Sequence, residues 1–294
     1  MIKYALPPVA AYLRHCPIDC GKWRLERKAV NWARTAGHQM GEKTVRTRQH
    51  FRMSLCLNDW VDQHIYATGQ YEPEVIRVAQ SILGPGDVAV DIGANIGFFS
   101  LLFASCTGRQ GKVISFEAQP NVFQRLSRNR DLNPGLIIEL NQVAAAGVNG
   151  TLEFHCGPEE HSGVGSLRNR GTANQIISVQ SVRCDDMLAN IESIRLIKID
   201  VEGAESQVLA GLNATLTRCH PELLVEVSDH YLKQCGSSAE QLYCTLQQLG
   251  YQMIRLSHDR NELVDGRNDQ LPIQFNALFT TRKQVIDDVL MMRS

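Results

Sequence analysis

The first residues in this chain able to do chemistry together lie in one short run. "VAVDIGANIGFFS" (88–100) puts Asp91 at the end of an apolar strand, then Gly93, Ala94, Asn95 and Gly97 at the start of an apolar helix. Open α/β sheets bind ligands at this position, outside the carboxyl ends of their strands. Gly93 permits a tight turn and a close approach to the backbone, and Gly97 lets the helix pack against the sheet. No Gly-Lys-Ser/Thr follows, so the loop is not a triphosphate cradle. A dinucleotide fingerprint would carry glycine where Asn95 stands, and a pyrophosphate would meet both that side chain and the charge of Asp91. A donor with an ammonium group suits the acid instead, and S-adenosylmethionine is one. Glu117 ends the next strand, "KVISFE" (112–117), where a carboxylate can accept hydrogen bonds from both ribose hydroxyls of an adenosine. Alone, Asp91 reads as a strand-end cap and Glu117 as a surface acid. At matching ends of consecutive strands, they point to a methyl donor.

A second group follows in "IRLIKIDVEG" (194–203), where Lys198, Asp200 and Glu202 alternate and so share a face if the strand persists. Asp200 then emerges beside the Asp91 loop. Three charges leaving an apolar strand need partners or a ligand. The plain alternative is a Lys198–Asp200 salt bridge, with Glu202 capping the next helix. The chemical one is proton acceptance by Asp200 or Glu202 as a hydroxyl is methylated. Asp200, Glu202 and Lys198 are therefore the catalytic candidates. Glu226, in "LVEV", and Ser166, in the Gly163-Val164-Gly165-Ser166 flap, are candidate acceptor contacts. His155 and His161 are weaker candidates for a base. Asp185 and Asp186 are expected to cap the helix "MLANI". A divalent ion between Asp185, Asp200 and Glu202 is conceivable, but no spacing requires one and no metal is expected.

These residues need a scaffold, and the pattern supplies it. Strands are expected over 88–92, 112–117, 135–146, 194–201, 222–228, 251–257 and 273–280. Helices are expected over 73–83, 96–106, 121–132, 204–216 and 238–250. Segments 151–156 and 176–184 read as an added antiparallel pair. Such alternation implies a mostly parallel sheet with helices on both faces, and the last two strands, with no helix between them, imply one antiparallel member. Residues 1–64 read as a basic, mostly helical appendage, 65–282 as the main domain and 283–294 as a tail. The appendage carries Lys22, Arg24, Arg27, Lys28, Arg34, Lys43, Arg46, Arg48 and Arg52, spread around rather than gathered. One reading is a solvated helical appendage that packs against the main domain through some of its apolar residues; the other is a patch for an anionic partner.

The formal charge of −1 gives no global pull toward nucleic acid. Nine cysteines without a CxxC fit reduced thiols and a cytoplasmic protein. Pro7, Pro8 and Arg14 interrupt the N-terminal apolar stretch, so no secretion signal and no membrane span are expected.

"VAVDIGANIGFFS", "ISFEAQPNVFQRLSRN", "VRCDDML" and "IRLIKIDVEGAESQVLAG", followed by "HPELLVEVS", together resemble the FkbM family of S-adenosylmethionine-dependent methyltransferases. The likeness runs over about residues 65 to 280 and includes "GQYEPEVI"; its most specific element is 198–205. The resemblance implies a seven-stranded class I methyltransferase fold and O-methylation of a sugar or secondary-metabolite-type small molecule, such as a polyketide product. It also implies a donor site of Glu72, Asp91, Gly93, Ala94, Asn95, Gly97, Glu117, Ala118, Val143 and Asp200. An NAD-dependent oxidoreductase is disfavoured by Asn95 and the lack of a Tyr-x-x-x-Lys pair. A non-catalytic scaffold, or an RNA-binding module using residues 22–52, is the alternative of another class.

Overall fold

The computed structural model describes residues 2–15, 22–157, 175–267, 269 and 271–292. Its central sheet contains β1 (Val88–Ile92), β2 (Lys112–Phe116), β3 (Ile138–Asn141), β4 (Leu196–Ile199), β5 (Glu222–Ser228), β6 (Gln252–Arg255), β7 (Glu262–Val264) and β8 (Gln274–Thr280). The order across the sheet is β7-β6-β8-β5-β4-β1-β2-β3. Strands β3, β2, β1, β4 and β5 run parallel. β8 inserts between β5 and β6, antiparallel to both, and the short β7 is antiparallel to β6, so of the last two expected strands the final one is reversed.

The sheet has eight strands where the sequence pattern gives seven. The extra one, β7, is three residues long and pairs with β6 as a hairpin, too short to carry a readable alternation. The run expected as one strand over 135–146 breaks after Asn141. Ala144–Ala145 then joins a separate three-stranded sheet with Gly150–Cys156 and Gln175–Val182. This break turns Val143, Ala144 and Ala145 toward the site. The helix expected over 204–216 is two, Glu205–Ala210 and Asn213–Cys219. Gly211 lies at the break, where a Cβ would sit 2.1 Å from the Ala146 carbonyl oxygen.

Six helices matter here: α1 (Ile2–His15), α2 (Lys22–Ala36), α3 (Trp60–Thr68), α4 (Pro73–Ile82), α5 (Phe98–Thr107) and α6 (Pro120–Asp131). Between α2 and α3 the chain forms an antiparallel ribbon of Glu42–Arg46 with Arg52–Cys56, in a segment read as mostly helical. The segment packs against the main domain through apolar residues and is not merely solvated. Leu6, Leu13, Ala33, Met53 and Leu55 are buried in one core with Val75 and Ala79 of α4 and Leu101 of α5. Several basic residues are used internally: Arg48 pairs with Glu26, Arg14 donates to the Tyr66 carbonyl, and the Arg34 guanidinium lies 5.4 Å from the Trp60 ring centre. Lys283–Met291, read as part of a tail, is a helix that buries Val285, Ile286 and Val289. Among the described residues, no helix is long and apolar enough to cross a membrane, and the cysteines are free thiols.

Candidate active site

The carboxyl ends of β1, β2, β4 and β5 open into one cavity of about 510 Å³. Its floor is the loop after β1. Gly93 has φ +79°, and a Cβ there would lie 1.8 Å from the Asp200 carbonyl oxygen. The group that approaches this backbone is therefore the loop after β4, and Gly93 locks the two loops together. Gly97 (φ +90°) makes room for Leu126 of α6, whose Cδ1 a Cβ would meet at 2.5 Å; the neighbour is that helix, not the sheet.

Asp91 is buried, with Oδ2 accepting a 2.5 Å bond from Ser100 Oγ, which itself accepts from Ser115 Oγ at 2.9 Å. Its Oδ1 is buried without a partner. Burial pushes this carboxyl above the usual range, with Lys198 opposing. Glu117 is fixed by backbone N–H groups: Asn95 N donates to Oε2 and Gln119 N to Oε1, each at 2.9 Å. Burial moves its carboxyl up to about 7, against those hydrogen bonds. Asn95 adopts φ +49° as its N–H serves this acid. An orphaned carboxylate oxygen, an acid held rigidly at the end of β2 and a cavity in the range that holds small ligands fit a nucleoside-sulfonium donor. Ala94, Ala118, Val143 and Glu72 line the same cavity.

Lys198 is almost fully buried, its Nζ 2.6 Å from Asp200 Oδ2 and 4.7 Å from the Phe99 ring centre. Burial pulls the ammonium down, but Asp200, Glu72 and Asp91 raise it by more. It stays charged, so it cannot act as a base, and it touches Asp200 as a positioning residue. The N-cap residue of the following helix is Ala204, not Glu202 (φ +56°). Glu205 holds that turn instead, its Oε1 accepting from Gly203 N at 2.9 Å.

Across the cavity, carboxylate oxygens of Asp200, Glu202 and Glu226 come within 4.8 Å of one another. These are the residues among those described with the spacing to share a cation; Asp185 is elsewhere. Its oxygens accept from Ala214 N at 2.9 Å and Thr215 N at 2.8 Å, so it caps the helix Asn213–Cys219 rather than its own, and Asp186 accepts from Asn149 Nδ2. Burial, then Asp200, Glu202 and Glu72, push Glu226 well above the carboxylate range, while Gln274 Nε2 donates to its Oε1 at 2.7 Å. Glu72 opens α4 in left-handed backbone, and one of its oxygens is buried without a partner.

Sequence reasoning missed the aromatic wall. Trp60 and Tyr71 line the cavity with ring centres 6.4 Å apart, beside Phe98 and Phe99, with Tyr231 also on the lining. Tyr71 had a signal, its place beside Glu72; Trp60 had none. Phe154 reaches the wall, whereas its strand neighbour His155 does not. Ser166 and His161 lie outside the described residues.

A parallel sheet with an inserted antiparallel strand, and acids at the ends of β1 and β2, define a class I S-adenosylmethionine-dependent methyltransferase. The Methyltransferase FkbM domain model matches residues 91–253, more than half of the chain, which therefore belongs to the FkbM methyltransferase family. The hexuronic acid methyltransferase AglP of Haloferax volcanii is 27% identical over 147 residues, covering 49% of this chain and 58% of that protein. The 2-O-methyltransferase NoeI of Sinorhizobium fredii is 34% identical over 166 residues, covering 50% and 66%. The matches thus span less than two thirds of those relatives' lengths. A solved FkbM methyltransferase from Methylobacillus flagellatus KT overlaps 75% of this chain and 53% of its own, at 16% identity and a TM-score of 0.44.

Proposed function

We propose that this chain moves the methyl group of S-adenosylmethionine to a hydroxyl of a sugar or secondary-metabolite-type small molecule. One observation carries the reading: a single cavity is lined by Asp91 and Glu117 and also by the close group Asp200, Glu202 and Glu226. Asp91 and Glu117, with the backbone around Ala94, Asn95 and Ala118, would hold the donor. When bound, it supplies a methyl carbon on a positive sulfur.

The chain's own residues then have three tasks. The first is orientation, since an acceptor oxygen must be held in line with that carbon and positioning supplies much of the rate. Lys198 fixes Asp200, and the Gly93 contact ties Asp200 to the donor loop. The second is proton acceptance from the hydroxyl, assigned to Asp200 or Glu202. Asp200 is held by the Lys198 ammonium at 2.6 Å, which fixes its orientation. The third is exclusion of water by Trp60, Tyr71, Phe98 and Phe99. The printed names of AglP and NoeI refer to a hexuronic acid and to a 2-O position, which supports an oxygen acceptor of sugar type. Asp200, Glu202 and Glu226 offer hydrogen-bond partners to the hydroxyls of such an acceptor.

The test is incubation with methyl-labelled S-adenosylmethionine and a panel of hydroxyl-bearing acceptors, read by mass spectrometry. The expected product is an ether methylated on oxygen. Label found only on nitrogen or carbon, or on no acceptor while the donor binds, refutes the proposal.

A further inference from the structure

The cavity of about 510 Å³ is the size that one drug-sized ligand fills. The donor would take much of it, and Glu226 stands on its wall. A second cleft, of about 380 Å³, begins there, and Glu226 and Gln274 form the wall common to both. Its other sides come from Glu74 in the first turn of α4, Arg255 at the end of β6, and Phe275 and Asn276 on β8.

We infer that this cleft is a second acceptor subsite, holding a neutral polyhydroxylated unit next to the one that is methylated. The acceptor is then at least two sugar-sized units long. The inference rests on the function proposed above and specifies its acceptor.

Three features of the cleft carry it. Arg255 gives one guanidinium nitrogen to Glu262, yet its Nε is buried with no acceptor. Buried donors are ordinarily satisfied, and a ligand hydroxyl in this cleft would satisfy it. Next, the lining mixes a guanidinium, two amides and two carboxylates, with Pro272 beside them. The hydroxyls of a sugar ring need such a set of donors and acceptors together. Finally, the two clefts are coupled. Asn276 lies opposite Glu226 in the strand register and its side chain bonds Glu72, while Gln274 bonds Glu226. A unit seated in the second cleft therefore sets the side chains that face the reacting unit.

The experiment uses the full chain saturated with S-adenosylhomocysteine and an immobilised panel of neutral mono-, di- and trisaccharides, with calorimetry of S-adenosylhomocysteine alongside. Disaccharides and trisaccharides should bind about tenfold or more tightly than their component monosaccharides, an increment of about 1.4 kcal/mol. Arg255→Met and the cleft-filling Glu74→Trp should each erase that increment and leave S-adenosylhomocysteine binding unchanged. Glu74 stands on the surface of α4, so its variant tests the idea even if Arg255→Met fails to fold. Equal binding of short and long saccharides, long-saccharide binding unaffected in folded variants, or retention of no saccharide while S-adenosylhomocysteine binds, overturns the subsite alone. Failure of the unaltered chain to bind S-adenosylhomocysteine removes the methyltransferase reading and the subsite with it.

Discussion

Gly93→Ala places one methyl group where the two loops of the site touch. Its Cβ would lie 1.8 Å from the Asp200 carbonyl oxygen and 2.8 Å from its carbonyl carbon. Ordinary contact begins near 3.4 Å, so one loop would have to retreat by well over an ångström. Neither loop is free to do so. Asp200 N donates to the Ile92 carbonyl at 3.0 Å, and the Asp200 carboxylate is held by Lys198. Alanine at φ +79° costs about 1–2 kcal/mol for left-handed backbone, and overpacking against fixed atoms adds about 1–3 kcal/mol. Gly86→Ala separates the two contributions, because Gly86 has φ +91° but no atom within 4 Å of the added Cβ. Urea unfolding should show Gly93→Ala costing about 2 kcal/mol more than Gly86→Ala. S-adenosylhomocysteine binding should weaken only in the first, because the donor loop that carries Gly93 and follows Asp91 is displaced. Equal costs for the two variants would refute the loop-to-loop contact as the reason for this glycine.

Lys198→Met strands the carboxylates of Asp200, Asp91 and Glu72 around an apolar side chain and should cost about 3–5 kcal/mol in chemical denaturation, with Asp200→Asn on top recovering part of it. Between pH 4.5, the ordinary value for glutamate, and about 7, where burial places Glu117, the folded chain holds a proton that the unfolded chain has released. Stability of the ligand-free protein should therefore fall as pH rises through that window, and Glu117→Gln should flatten the fall by about 1.4 kcal/mol per pH unit. Asp62 and Glu205, also raised to about 7 by burial, act with the same sign, so a residual slope remains. Asp200→Asn and Glu202→Gln should lower turnover about 10²–10⁴-fold while changing donor affinity little, as rates and calorimetry on the same samples would reveal. Normal turnover in both folded amides would make these carboxylates structural.

The donor end was legible because its information is local. Asp91 and Glu117 close consecutive strands, and parallel pairing of β1 with β2 brings those ends together without help from distant parts of the chain. The Lys198–Asp200 pair was legible for the same reason, as alternation along β4. What the sequence hid depends on contacts between distant segments. Gly93 announced a close approach, but its neighbour is Asp200, more than a hundred positions away. Glu202 and Glu205 are both acids at a helix start, and only the turn geometry decides that Glu205 takes the Gly203 N–H. Trp60 sits on a helix whose pattern says only that it packs, and its place on the cavity wall follows from how α3 docks beside Tyr71. The ribbon over 42–56 was masked by its charges, since Lys43, Arg46 and Arg52 occupy its exposed positions.

The central claim is that Asp91 and Glu117 hold a nucleoside-sulfonium donor, and calorimetric titration of the full chain tests it most directly. S-adenosylhomocysteine should bind with roughly micromolar affinity, about −8 kcal/mol, and NAD should give no heat. Asp91→Ala and Glu117→Ala should each weaken binding by about 1.5–3 kcal/mol, the range for hydrogen bonds to charged groups. Binding of NAD in place of S-adenosylhomocysteine, or unchanged affinity in both variants, would contradict it.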